Sequence, residues 1–173
     1  GHSSDVMDGP GAMQWGAVSK SIAIEEPWRI VTASLLNFNG FHLTANVAGL
    51  LVIAIFAHPL FGLSQVFIIT WVSAWVGTLI ALLEPGVILG SSAALAGLVG
   101  AIIGHLFGRV SSEKRLYFNL AAIVAGILLA MAPGDPWAHA GGCLTGLLMG
   151  RIARPGNVLS PHENRLRTCI AWL

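Results

Sequence analysis

The stretch Gly90–Ala101, GSSAALAGLVGA, opens on two hydroxyls and then runs on in small, apolar residues. Such a head to an apolar run has two readings. The serines are small residues that let helices pack closely, or one of them is a nucleophile at the mouth of a helix. The surrounding chain bears on the choice. Its 173 residues suffice for one domain, and 55% are hydrophobic while only 10% are charged. An ordinary soluble domain carries about 25% charged residues. So few charges could not cover a water-facing surface, so the composition implies an integral membrane protein and makes Gly90 the start of a span.

Working outward, four more apolar runs flank this one. They cover 41–57, 62–83, 116–132 and 137–153, with the quoted stretch opening 90–108. Each is about 17–22 residues, the length that crosses a hydrocarbon core of about 30 Å. Backbone polar groups in lipid have to be satisfied within the segment, so helices are expected. AHPLF, EPGVI, GRVSSEKR and APGDP supply the connections. Residues 1–30 read as a polar loop or tail, 31–153 as the membrane domain and 154–173 as a polar tail.

Seven of the nine basic residues fall just after the third run (Arg109, Lys114, Arg115) or at and beyond the end of the fifth (Arg151, Arg154, Arg165, Arg167). With alternating spans those regions share one side, which the basic-residue rule makes cytosolic. The other side takes residues 1–30 and the EPGVI and APGDP loops. A multi-pass protein with a cytosolic C-terminus follows, expected in a bacterial inner (plasma) membrane.

This topology places uncommon polar residues of three spans at similar depth. His42 and Asn46 lie at the start of the first span, Ser91 and Ser92 at the start of the third, and His139 at the start of the fifth. Polar residues within spans are functional candidates by default, although Ser and Gly there most often serve packing. His42 and Asn46 are four apart and share a helix face. Either Ser92 or Ser91 could supply a hydroxyl and His139 the base that a hydroxyl nucleophile needs. His42 and Asn46 could donate to a developing oxyanion. No Asp or Glu lies in any of the runs, so a Ser-His pair is available and a Ser-His-Asp triad is not. His105 sits thirteen residues past Ser92, about 20 Å further along a helix rising about 1.5 Å per residue, and reads as structural. There is no HExxH, no metal site, and no basic stripe of a nucleic-acid binder.

At this point the residues resemble the rhomboid family of intramembrane serine proteases, over roughly residues 28–153. Four stretches carry the likeness in the family's order. They are Trp28-Arg29, HLTAN with His42 and Asn46, GSSA with Gly90 and Ser92, and AHAGGCLTG with His139, Gly142 and Gly146. The resemblance implies a helical membrane bundle in which Ser92, rather than Ser91, and His139 form a catalytic dyad. It also implies that His42, Asn46 and the Ser92 backbone N–H stabilise the oxyanion. Substrates would be membrane proteins, single-span or polytopic, cut in transmembrane helices near their outer ends. Apart from surrounding lipid, no further partner, metal or cofactor is implied. Gly90, Gly97, Gly142 and Gly146 are expected to let helices approach closely at the site, and Gly142, Gly146 and Gly150 repeat every four residues as one smooth stripe. Ala93 stands in place of the motif's second glycine, and Ala96 where the family often has an aromatic residue against the histidine. The family core has one helix more than the five runs seen here, so a further span is expected before Gly1. The alternatives are an inactive rhomboid-like protein that binds clients without cutting them, and a small transporter using the same polar residues.

Overall fold

The computed structural model describes residues 9–107, 109, 111 and 134–153. Among these residues four helices pack into a bundle: α3 (Gly40–Phe61), α4 (Leu63–Ala81), α5 (Ser92–Leu106) and α6 (Pro136–Ile152). Ahead of them lie α1 (Gly9–Gln14), β1 (Val18–Ser19) and α2 (Arg29–Ala33), and β2 (Val87–Ile88) precedes α5. Four of the five expected spans are thus helical; the run 116–132 lies outside the described residues. Among the described residues two helices, α3 and α4, are long and apolar enough to cross a membrane.

The bundle is built inside out relative to a soluble protein. Only 17% of the apolar window of α3 is buried. Phe41, Leu51, Ile55, Leu63, Phe67 and Leu148 point outward, whereas the interior of α5 is mostly small: Ser92, Ala93, Ala94, Ala96, Gly97, Gly100, Ala101 and Gly104, with Leu98 and His105 the larger exceptions. Large apolar side chains facing out and small ones facing in suit a hydrocarbon solvent. Close van der Waals contact between backbones then holds the helices together.

Helix direction follows from which residues meet. A Cβ added at Gly142 would strike the Ala93 carbonyl, one at Gly146 the Gly97 carbonyl, and one at Gly150 the Ala101 carbonyl. Both helices advance by four residues per contact, so α5 and α6 run parallel in fixed register. Late in α4, Gly77 faces Ala93 and Ala138, while Ser73 faces Gly97, so α4 runs antiparallel to both. Phe61, ending α3, packs edge-on against His105, in the last turn of α5. The starts of α3, α5 and α6 therefore gather at one end of the bundle.

Each start has a local cause. Asn39 is extended and its Oδ1 accepts from the His42 N–H at 2.8 Å, an N-cap on α3. Asp135 accepts from the Trp137 and Ala138 N–H groups, with Pro136 at the first helical position of α6.

Three expectations change here. AHPLF was expected to be a connection, but α3 continues through His58 and Pro59 to Phe61. Pro59, Leu60 and Phe61 are buried there, and this packing keeps the turn helical despite the proline. The reversal falls on Gly62 alone, at φ 76°. The EPGVI loop contains β2, and α5 begins at Ser92 rather than Gly90. Residues 1–30, expected to be a loop or tail, hold α1 and β1 in their described part.

β1 pairs antiparallel with β2, Val18 opposite Ile88 and Ser19 opposite Val87. Arg29 ties this segment down. Its NH1 donates to the Met13 and Ala17 carbonyls, its Nε donates to Glu26, and its guanidinium lies 4.7 Å from the Trp28 ring centre. The Gly90 N–H donates to the Ala33 carbonyl at 2.9 Å. The chain ahead of the bundle is thereby joined, backbone to backbone, to the residues just before Ser92.

Candidate active site

Ser92 is the first residue of α5 and His139 lies in the first turn of α6. Because the glycines of α6 seat on the carbonyls of α5, the two side chains meet. His139 Nε2 lies 2.8 Å from Ser92 Oγ, with both residues buried. In the tautomer carrying its proton on Nδ1, the imidazole accepts from the serine hydroxyl, the arrangement a general base needs. Ser91 is the N-cap residue and makes no side-chain cap bond. A helix leaves its first N–H groups without intrahelical acceptors, and the Ser92 N–H is one of these, at the positive end of the helix dipole.

His42 and Asn46 stand on the inward face of α3. Along residues 40–56 of this helix they are the only buried positions. In an otherwise lipid-facing stretch the chain thus turns its two most polar side chains inward. A Cβ added at Gly90 would lie 3.6 Å from Ser92 Oγ and 3.7 Å from His42 Cε1, so the absent side chain at Gly90 leaves a space bordered by both. Neither ring nitrogen of His42 has a hydrogen-bond partner among the described residues. The ring itself stacks on Phe38, with centroids 5.7 Å apart. Asn46 Nδ2 donates to Asn37 Oδ1 at 2.7 Å.

The structure thus brings Ser92 together with His139, and His42 beside Ser92 across Gly90, with Asn46 one turn further along α3. Gly97 lies against Ser73 and the Gly142 carbonyl, and Gly142 and Gly146 sit on the backbone of α5. His105 is buried in the last turn of α5, away from this cluster. The alanine at 93 also finds a place, because a Cβ at Gly77 would come within 2.7 Å of the Ala93 methyl. A glycine on α4 makes the room that the extra methyl on α5 takes up.

Sequence reasoning missed Gly134. Its φ is 135°, a conformation that disfavours side chains, and a Cβ there would lie 3.0 Å from His139 Nε2 and 3.3 Å from Ser92 Oγ. The bare backbone at Gly134 thus leaves open space beside both side chains. The PGDP sequence signals a turn but not what the turn faces. Asn37 was missed as well, since nothing in its spacing links it to Asn46.

Apolar helices with large side chains turned outward around a buried Ser-His pair, with further polar side chains at the same end, are the arrangement of an integral membrane protein. Residues 25–156 match the Rhomboid domain family. The chain is 30% identical over 159 residues to RHOMBOID-like protein 6, mitochondrial, of Arabidopsis thaliana, covering 88% of this chain and 51% of the relative. It is 28% identical over 154 residues to Inactive RHOMBOID-like protein 8 of the same plant, covering 84% and 42%. It is 28% identical over 131 residues to Rhomboid-like protease 3 of Toxoplasma gondii, covering 70% and 50%. The chain therefore belongs to the rhomboid family, and it spans about half the length of these curated relatives.

Proposed function

We propose that this chain is an intramembrane serine endopeptidase that cuts transmembrane helices of membrane proteins near their outer ends. The observation that carries the reading is the 2.8 Å contact between buried Ser92 and His139. Ser92 Oγ attacks the scissile carbonyl carbon while its proton passes to His139 Nε2. The carbonyl oxygen becomes an oxyanion, held by the Ser92 N–H and by the side chains of His42 and Asn46. The C–N bond then breaks, His139 gives its proton to the leaving amine, and an acyl-enzyme remains. Water, deprotonated by His139, attacks the ester; the serine leaves with a proton and the new C-terminus departs as a carboxylate. No step calls for a metal or cofactor.

The donors at His42 and Asn46 act where charge develops, so their effect belongs to the transition state. Removing one such donor costs about 10²–10³ in rate. Asn46→Ala is expected to lower kcat on a single-span substrate by that factor, with a much smaller change in KM. A change in KM alone would make Asn46 a substrate-binding residue instead.

One relative is named inactive, which supports a second reading, a rhomboid-like protein that binds clients without cutting. A panel of single-span substrates in detergent separates the two, since only the protease releases fragments. Of the membrane assignment, the side facing the cytosol remains as proposed from the basic residues. The plant and parasite relatives lend the bacterial setting no support.

A further inference from the structure

Three consecutive residues before α3, Asn37-Phe38-Asn39, each hold part of the helix that follows. Asn39 Oδ1 accepts from the His42 N–H, the Phe38 ring stacks on the His42 imidazole, and Asn37 Oδ1 accepts from Asn46 Nδ2 at 2.7 Å. The last contact is the informative one. A carboxamide has nearly the same shape at both ends, but one end donates and the other accepts. Presented the wrong way round, Asn46 would set an oxygen lone pair against a developing negative charge. The Asn37 oxygen beside it favours that orientation, because a carbonyl oxygen can face the Asn46 NH₂ but is repelled by its oxygen. Nδ2 carries two hydrogens. One goes to Asn37, leaving the other for a reacting oxygen.

We propose that Asn37 is a positioning residue, which through its hydrogen bond to Asn46 keeps the N–H end of that side chain turned to the substrate oxygen. The inference rests on the reading of Asn46 as a transition-state donor. Asn37 is itself held at a cost. Its Nδ2 is buried and has no hydrogen-bond partner among the described residues, a condition that disfavours folding. A group placed only for stability would satisfy both ends of its amide. Asn37 satisfies the end that meets Asn46.

The test compares Asn37→Leu, which keeps the branched shape and removes the acceptor, with Asn37→Ala, which also leaves room. Both are assayed in the full chain in detergent on a single-span substrate. Each is expected to lower kcat about tenfold at nearly constant KM, less than the roughly 10²–10³ of losing the donor itself. In an Asn46→Ala background, Asn37→Leu is expected to cost nothing more, because the amide it orients is gone. Multiplicative losses in the double variant, a change confined to KM, or losses that track a falling thermal midpoint would overturn the inference. So would wild-type kcat in both Asn37 variants beside a slow Asn46→Ala, a result that leaves the oxyanion assignment standing. Wild-type kcat in Asn46→Ala would remove that assignment and the inference with it.

Discussion

Ser92→Ala is expected to abolish cleavage of membrane substrates, while Ser91→Ala keeps most of it. The two serines are neighbours in sequence, but the fold separates their roles. Ser92 is buried with its hydroxyl 2.8 Å from His139 Nε2, whereas Ser91 is half-buried and makes no side-chain cap bond. In serine hydrolases loss of the nucleophile costs on the order of 10⁶ in kcat. Loss of the hydroxyl removes one buried hydrogen bond at a cost of about 1–3 kcal/mol, so the Ser92→Ala protein should still fold, with a modestly lowered thermal midpoint. Cleavage rates and thermal unfolding in detergent, measured on both variants, check this. Activity lost in Ser91→Ala and kept in Ser92→Ala would move the nucleophile to Ser91.

The second large effect is expected from Gly146→Val, although Gly146 touches no substrate. A Cβ at this position would strike the Gly97 backbone. Backbone cannot rotate aside as a side chain can, so α5 and α6 have to separate. Overpacking in a core typically costs about 1–3 kcal/mol, and a contact with backbone belongs at the upper end. The same separation pulls His139 from Ser92, and a displacement of about 1 Å can cost roughly 10² in rate. Gly146→Val is therefore expected to lower both the thermal midpoint and cleavage, the latter by at least about 10²-fold. Leu148→Val, at an exposed position on the same helix, serves as the control and should change neither. Wild-type behaviour of Gly146→Val would mean that the glycine stripe does not hold the pair together.

Much of this arrangement was legible in the sequence, because the signals were of the kind that membranes impose. Apolar runs of spanning length marked the four described bundle helices, and rare polar residues at the heads of alternate runs marked the end where Ser92, His139 and His42 gather. The i, i+4 spacing of Gly142, Gly146 and Gly150 pointed to a close helix contact. What stayed hidden depended on tertiary partners. Val18–Ser19 and Val87–Ile88 are too short to show a strand period, and they pair across almost seventy residues of chain. Pro59 punctuates the sequence like a loop, yet packing of Leu60 and Phe61 carries the helix past it. The near-uniform apolar character of α3 gave no inward face beyond what His42 and Asn46 suggested. Gly134 and Asn37 meet their partners only through contacts made after folding.

The central claim is that burial beside His139 makes Ser92 a nucleophile. The most direct measurement is reaction of the folded chain in detergent with a fluorophosphonate, followed by mass spectrometry of the peptide that contains Gly90–Ala101. A single adduct on Ser92, lost in His139→Ala, is the expected result. No adduct on a folded chain, or one on Ser91 that survives His139→Ala, would contradict it.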